Sequence, residues 1–203
     1  MKAERKISEV STRTREVMLD ATETIMREEG YAAVTSRRVA EKAGLKSQLV
    51  YYHFGTMDDL FIAVYERSEQ EFFERELQAL TSSTPLRALW ELSIHPKRTA
   101  LAMEMIALSN HRKTVRKLIA RSLEQMHRMQ IAAITKYLSD AGLDSEEYPP
   151  VILSYIISGV ARSLVTEAAM GVTTRHPEVL AFAERRLRAL ETKGSARASA
   201  APD

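Results

Sequence analysis

The sequence predicts an all-α protein of about nine helices, with a small three-helix domain at the N-terminal end and a larger helical domain behind it. Glycine (7) and proline (6) are scarce among the 203 residues, and 45% of the residues are hydrophobic. Residue types that favour helices, such as Ala, Leu, Glu, Arg and Met, are plentiful. Runs of alternating β-branched residues are absent, so we expect little or no sheet.

Caps and breaks place the predicted helices along the chain. Apolar residues at helical spacing predict a first helix at about residues 14–29, and Gly30 suits its C-terminal cap. Gly44 separates two short helices, and the segment from Thr56 to Asp59 is a capping box that opens a fourth helix. The clearest break is Thr81–Pro85, which is followed by an amphipathic segment. The remaining helices are predicted at about residues 98–110, 114–141, 150–170 and 177–191.

These elements predict four segments. They are a flexible basic arm (1–12), a helix-turn-helix domain (13–56), an effector-binding and dimerisation domain (57–192) and a disordered tail (193–203).

Composition excludes several classes of site. There is no cysteine, so disulfides and thiolate metal sites are excluded and a reducing compartment fits. The N-terminus lacks the apolar region of a signal peptide. The most apolar stretch, Val151–Ala161, is too short to span a bilayer and precedes Arg162. We therefore expect a soluble, cytoplasmic protein with no membrane partner.

No catalytic, metal or cofactor motif is found in the sequence. The pair Glu124 and His127 has the spacing that di-iron bundles use, but such a site needs a second copy, and the chain has none. Neither a His-Glu-x-x-His nor a Gly-x-Ser-x-Gly motif occurs. We predict a protein that is not an enzyme and that holds neither a cofactor nor a metal.

Positive charge gathers near the N-terminal end, although the net charge of the chain is only +2. Residues 35–55 hold four basic residues against one acidic residue, and residues 1–15 hold five against two. Phosphate binding needs such a local excess, so this end of the chain is the one that suits nucleic acid.

The two short helices around Gly44 have the pattern of a helix-turn-helix, whose second helix enters the major groove. Val50 and Phe54 share one helical face and are expected to pack inward with Val39 and Leu45. The polar residues at the start of both helices suit phosphates and base edges, and the later aromatic tips suit phosphates. The candidate DNA-contacting residues are Ser36, Arg37, Lys46, Ser47, Gln48, Tyr51, Tyr52 and His53.

Several anchors at matching spacing make the segment Thr14–Leu60 resemble the TetR family of bacterial repressors. They are Gly30-Tyr31, Thr35, Val39-Ala40, Ala43-Gly44-Leu45, Val50-Tyr51-Tyr52-His53-Phe54 and Asp59-Leu60. The resemblance implies an all-α homodimer that binds a palindromic operator and is released by a ligand in its C-terminal domain. It also maps the family's DNA contacts onto the eight candidates above.

This chain departs from the family pattern at three positions. Met57 stands where the family commonly has a lysine that meets a phosphate, and Lys46 and Leu49 stand where small hydroxyl residues are usual. We therefore expect one electrostatic contact to phosphate to be missing at Met57. The operator sequence does not follow from the base-facing residues.

Apolar stripes near the C-terminal end suggest a four-helix dimer interface made of two helices from each subunit. The alternative is that these stripes face the subunit's own core. The candidate interface residues are Ile152, Tyr155, Ile156, Gly159, Ser163, Leu180, Ala183, Leu187 and Leu190.

A group of adaptable or aromatic side chains suggests a pocket for an apolar or amphipathic effector, although for any single one of them a core position is the better interpretation. These residues are Trp90, Met103, Met105, Met126, Met129 and Tyr155. A second basic cluster reads best as a solvated helix face, although it could receive an anionic part of an effector. It comprises His111, Arg112, Lys113, Arg116, Lys117 and Arg121.

The sequence therefore predicts a ligand-responsive regulator, most simply a repressor, whose partners are double-stranded operator DNA, a second copy of itself and a small effector. Activation stays open, as does the number of dimers per operator. The alternative class is a helical-bundle ligand carrier or enzyme that does not bind DNA.

Overall fold

The computed structural model describes the backbone of residues 2–198 and the side chains of residues 10–95 and 99–194. Within residues 2–198 there are nine α-helices, one short 3-10 turn (Tyr31–Ala33) and no strand, so the predicted all-α class is confirmed. The helices are α1 (Lys2–Glu29), α2 (Ser36–Ala43), α3 (Gln48–Phe54), α4 (Met57–Leu80), α5 (Pro85–Ser93), α6 (Pro96–Ser109), α7 (Lys113–Asp140), α8 (Pro150–Ala169) and α9 (His176–Ala198).

The two ends of the chain differ from the expected arm and tail. Residues 2–12, expected to be flexible, form the first turns of α1. The expected tail begins as the end of α9, which continues to Ala198, and its last five residues lie outside the described part. Residues 2–12 contain no glycine or proline that would stop a helix, and Gly194 lies within α9 and does not end it.

Local caps account for the breaks between the first helices. Gly44 has a left-handed backbone (φ 67°) after α2, and its N–H donates to the carbonyl oxygens at the end of that helix. The Thr35 hydroxyl accepts from the Arg38 N–H at 3.2 Å and caps the start of α2. At the start of α4, Thr56 and Asp59 each accept from the other's backbone N–H at 3.1 Å, as the capping box predicts.

The chain forms two compact units that do not follow the order of the sequence. The first comprises the residues up to Gln70 together with Ala100–Arg121, and the second comprises Glu71–Thr99 together with the residues from Ser122 onward. This division differs from the expected single boundary after residue 56, because α4, α6 and α7 each contribute to both units.

The first unit has a core of buried side chains from α1 to α4 and from the α6–α7 segment. Arg67 of α4 joins α4 to α1, since its guanidinium contacts the carboxylates of Glu16, Asp20 and Glu23 at 3.1, 2.7 and 2.9 Å. The buried residues of this core include Met18, Ile25, Met26, Val39, Val50, Leu60, Val64, Met105, Leu108 and Val115.

The second unit is built on α5, α7, α8 and α9. Its apolar cluster includes Leu86, Leu89, Trp90, Ile134, Leu138, Ile157, Ala161, Leu187 and Leu190. A buried polar chain also joins α4, α7 and α8, since Ser154 donates to Gln130 at 2.7 Å and Gln130 donates to Glu76. Each of these buried polar groups thereby gains a hydrogen-bond partner in the interior.

The helix α8 is longer than the apolar stretch Val151–Ala161 on which the sequence-based expectation rests. Its 20 residues include an 18-residue stretch with a mean hydropathy of 1.4, of which 28% is buried, so α8 is long and apolar enough to cross a membrane by length and composition. A core helix of a soluble protein passes the same test. Its exposed apolar residues need a partner that covers them.

Candidate nucleic-acid interface

The inner face of the helix-turn-helix is formed as predicted. Val39 and Val50 are fully buried, and Phe54 is 7% exposed, so the apolar residues of α2 and α3 face the interior of the first unit. Arg15 of α1 lies over the Phe54 ring, 5.0 Å from its centroid. These buried contacts determine which face of α3 points inward, so the opposite face of the helix is exposed.

The outward face of α3 carries most of the candidate contacts. Lys46, Ser47 and Gln48 are exposed at its start, and Tyr51 and Tyr52 are 52% and 79% exposed. These five exposed side chains, on α3 and on the two residues ahead of it, make up the candidate DNA-contacting surface.

The other three candidates lie at the edges of this surface. Arg37 is exposed and Ser36 is half-buried at the first turn of α2, where free backbone N–H groups attract anions. His53 is half-buried, and its ring meets the Tyr52 ring edge-on at 5.1 Å.

Ion pairs remove part of the local positive charge that the sequence shows. Arg38 contacts Glu29 at 2.8 Å, and Lys42 contacts Glu28 at 2.7 Å. The hydrogen bond from Arg38 lowers the pKa of the Glu29 carboxyl below its ordinary value. Among the side chains described, Arg37 has no ion-pair partner, so it remains available to a phosphate.

Residues far along the chain also belong to the first unit, which sequence reasoning missed. Glu104 of α6 accepts from the Tyr31 N–H at 2.7 Å, and the His111 ring stacks on the Tyr31 ring at 6.2 Å. Asp58, in the first turn of α4, accepts from both Arg112 and Thr114 at 2.9 Å. No local signal in the sequence indicates these contacts, because the partners are more than fifty residues apart.

The second unit contains an apolar cavity of about 360 Å³ between α5, α8 and α9. Among the described residues that line it, Arg186 and Lys193 are the charged ones, and the Lys193 ammonium donates to the Tyr148 hydroxyl at 3.3 Å. The described lining residues are Trp90, Tyr148, Leu153, Ile156, Ile157, Val160, Val179, Phe182, Ala183, Arg186, Leu187, Ala189, Leu190 and Lys193.

The structure does not bring the predicted effector-pocket residues together, and Trp90 alone among them belongs to the described lining of this cavity. Met105 is 1% exposed in the core of the first unit, and Met103 of the same unit is 40% exposed. Met126 and Met129 lie on α7, outside the cavity lining. Tyr155 is exposed and its ring lies 4.8 Å from that of His127. Helical spacing could not show which faces of distant helices meet.

The predicted dimer residues fall into two groups. Leu187 and Leu190 are each 8% exposed and belong to the subunit's own core, so for these two the alternative interpretation holds. The others lie on the surface or near it. Ile152, Tyr155, Ile156, Ser163 and Leu180 are exposed, and Gly159 and Ala183 are half-buried. Phe182, which the sequence reasoning did not select, is 52% exposed beside them on α9.

Comparison with known proteins agrees with this architecture. The family model of bacterial regulatory proteins of the tetR family matches residues 18–64. An HTH-type transcriptional regulator, AcrR of Shigella flexneri, is 32% identical over 111 residues. That match spans 50% of this chain and 52% of the relative, so about half of either protein is covered.

Solved structures share the fold over most of the chain. A TetR-family regulator from Rhodococcus sp. superposes with a TM-score of 0.68 at 18% identity, covering 89% of this chain and 97% of its own. A regulator from Saccharomonospora viridis, solved in complex with choline, has a TM-score of 0.65 at 18% identity and covers 76% of this chain and 86% of its own. At these identities the likeness concerns the fold alone.

Proposed function

Because this chain belongs to the TetR family of bacterial regulatory proteins, we propose that it is a homodimeric repressor that binds a palindromic operator and is released by a small ligand. The observation that carries the proposal is the outward face of α3. The apolar residues on the inner face of α3 are buried and hold the helix in place, while Gln48, Tyr51 and Tyr52 are exposed on its outer face. A rigid short helix with exposed polar tips suits the major groove.

The eight candidate residues divide by the kind of DNA contact that their chemistry allows. Arg37, Ser36 and the tips of Tyr51, Tyr52 and His53 suit phosphates, which position the protein without reading sequence. The side chains at the start of α3 suit base edges, since Lys pairs with guanine and Gln with adenine. These are Lys46, Ser47 and Gln48.

Binding to genomic fragments, followed by fluorescence anisotropy on a selected operator, tests the DNA proposal. We expect Arg37→Ala to weaken binding and to reduce the slope of log affinity against log salt by about 1.8, which is one phosphate contact in each subunit of the dimer. Arg185→Ala on α9 is the matched control, because Arg185 is an exposed arginine of the second unit. Equal affinities for Arg37→Ala and the wild type would contradict the assignment of Arg37.

The exposed apolar face of α8 and α9 supports the dimer proposal. Ile152, Ile156 and Phe182 are each more than half exposed, and two helices per subunit bearing such residues form a four-helix bundle about a twofold axis. If α8 crossed a membrane, its charged residues Arg162 and Glu167 would have to enter lipid, which is costly. A second copy of the chain can cover the apolar face without that cost. We therefore propose that α8 is an interface helix of a cytoplasmic protein, found at the nucleoid when the operator is bound.

Sedimentation of interface variants tests the dimer. Ile156→Asp places a charge on the apolar face and is expected to yield monomers at micromolar concentration. Ile106→Asp is the control, because Ile106 is 42% exposed on α6 of the first unit and lies outside the proposed interface. A wild-type protein that sediments as a monomer would refute the proposal.

The cavity of the second unit supports an apolar or amphipathic effector. Its walls are aliphatic and aromatic, and its charged lining residues are both cations, so an amphipathic ligand is expected to carry an anionic group. A cationic ligand, such as the choline in the Saccharomonospora viridis structure, would be repelled by Arg186 and Lys193. Ile156 and Phe182 line the cavity and also belong to the proposed dimer face, so an occupied cavity would alter that face.

The single tryptophan of the chain gives a direct readout, since Trp90 lines the cavity and is 4% exposed. We expect dodecanoate to change the Trp90 emission, raise the melting temperature and release operator DNA, and dodecyltrimethylammonium to do none of these. Failure of both amphiphiles and of dodecanol would refute the effector proposal and leave the DNA proposal standing.

The alternative class, a helical ligand carrier or enzyme without DNA binding, is distinguished by the same binding assay. It predicts no complex with any genomic fragment at low salt. We propose that the chain is not an enzyme, since its relatives are transcriptional regulators.

A further inference from the structure

The first turns of α7 carry a basic stripe that the helix-turn-helix does not use. Residues 105–123 contain five Lys or Arg residues and no Asp or Glu. Three of them, Lys113, Lys117 and Arg121, are spaced by four residues, so they lie on one face of the helix, and all three are exposed. We call these three residues the α7 stripe.

The α7 stripe belongs to the same compact unit as α2 and α3, which ends its second segment at Arg121. Asp58 fixes this arrangement, because its two carboxylate oxygens accept from Arg112 and from the Thr114 hydroxyl, each at 2.9 Å. Asp58 lies in the first turn of α4, only four residues after the end of α3. The start of α7 is thus held at the start of α4, near the end of the recognition helix.

The charge at the start of α7 is unfavourable for the helix itself. The N-terminus of a helix is its positive end, where acidic residues stabilise and basic residues do not. The first turn of α7 has no acidic residue. Arg116 is compensated, because it donates to the carbonyl oxygens of Ser109 and Asn110 at 3.0 and 3.2 Å.

The three stripe residues have no such compensation within the described part of the chain, where none of them forms an ion pair. Three exposed cations that repel one another, on a helix whose own dipole opposes two of them, favour an external polyanion.

We propose that the α7 stripe binds backbone phosphates of the same DNA molecule that α3 reads, on the flank of the operator. The stripe spans about 12 Å along the helix, from eight residues at 1.5 Å each. That length corresponds to about three to four base pairs of B-form DNA. The inference depends on the proposed DNA binding and extends the contact surface beyond the helix-turn-helix.

The salt dependence of operator binding tests this proposal. The double variant Lys113→Gln/Lys117→Gln should reduce the slope of log affinity against log salt by about 3.6, which is two phosphate contacts in each subunit of the dimer. Its loss of affinity relative to the wild type should then be about 150-fold greater at 50 mM than at 200 mM salt. This loss should appear on a duplex with flanking sequence and vanish on a duplex trimmed to the operator.

The control is Lys136→Gln/Arg185→Gln, which removes the same charge from exposed positions of the second unit. It should leave the salt slope unchanged on both duplexes. Thermal unfolding of the stripe variant should be unchanged or shifted upward, because the substitutions relieve repulsion with the helix dipole.

The results of these binding measurements distinguish a failure of the α7 stripe proposal from a failure of the proposed DNA binding. A wild-type salt slope for the stripe variant, on a protein that still binds its operator, overturns the stripe proposal alone. An unchanged slope together with a lost response to dodecanoate would assign the stripe to an anionic effector and overturn it as well. A wild-type protein that binds no DNA would overturn the proposed function and the stripe together.

Discussion

Glu191 of α9 fixes the start of α5, and removing its side chain should destabilise the second unit. Its Oε1 atom accepts from the backbone N–H groups of Leu86 and Arg87 at 3.0 and 3.1 Å. The first N–H groups of a helix have no partner within the helix, and Thr84 supplies no side-chain cap here. Hydrogen bonds to a charged acceptor contribute about 1.5–3 kcal/mol each, with the two sharing one oxygen.

We expect Glu191→Ala to lower the free energy of unfolding by about 3 kcal/mol, from the two bonds discounted for water that enters the vacated space. For a chain of this length that corresponds to a fall of about 6–12 °C in the melting temperature. Glu191→Gln keeps one oxygen acceptor for the same N–H groups, so it should melt within about 3 °C of the wild type.

The same pair of variants has a predicted pH dependence. Burial raises the pKa of the Glu191 carboxyl above its ordinary value of 4.5, although the N–H groups of Arg87 and Leu86 oppose that shift. A carboxyl whose pKa is raised on folding contributes stability that is fully present below the unfolded pKa and is lost as pH rises through the folded pKa. The wild type should therefore gain stability over Glu191→Gln as pH falls from the raised pKa towards 4.5.

Emission from Trp90 reports these transitions, because Trp90 lies on α5. Protein concentration must be held constant, since the stability of a dimer depends on it. A Glu191→Ala protein that melts within about 2 °C of the wild type would contradict the capping role of Glu191. A difference between the wild type and Glu191→Gln that is independent of pH would contradict the raised pKa.

Three further substitutions test separate contacts. Gly194→Ala should lower the melting temperature, because its Cβ would lie 2.8 Å from that of Ala141, and overpacking of about 1–3 kcal/mol exceeds the helix-propensity gain of at most about 1 kcal/mol. Arg67→Met leaves three carboxylates of α1 without their shared partner, so urea unfolding should show a loss of about 2–3 kcal/mol that shrinks at high salt. Glu104→Ala removes the acceptor of the Tyr31 N–H ahead of α2 and should weaken operator affinity by roughly 10-fold, as measured by anisotropy.

Each of these has an outcome that contradicts it. A Gly194→Ala protein as stable as the wild type would show that Ala141 and α9 move apart without a loss of stability. An Arg67→Met protein with unchanged urea midpoint would show that its three contacts are fully screened by water. If Glu104→Gln, which keeps an oxygen acceptor, binds operator as weakly as Glu104→Ala, the hydrogen bond to Tyr31 is not what matters.

Residues close together in the sequence determined the helix-turn-helix. Gly44 ends α2 because a left-handed residue is needed there, and the pair Thr56 and Asp59 opens α4 through hydrogen bonds across three residues. The inward face of α3 follows from the four-residue spacing of Val50 and Phe54. All of these interactions lie within one turn or one short loop, so the amino-acid order alone predicts them.

The larger domain was predictable only as a set of helices. Apolar spacing indicates that a helix has a buried face, but it does not say which neighbour covers that face. Leu187 and Leu190 were thus expected at a dimer interface, whereas they pack in the subunit's own core. Met105 was expected near an effector and is buried in the first unit instead.

The sequence by itself determined that this protein is helical, where α1 and α2 end, where α4 begins, and which face of α3 is turned outward. Only the tertiary structure brought Glu104 to Tyr31 and Arg112 to Asp58, and with them placed the basic start of α7 in the unit that contains the helix-turn-helix. The physical reason is the range of the interactions. Caps and helical periodicity act over three or four residues, whereas these contacts join residues that are 54 and 73 positions apart.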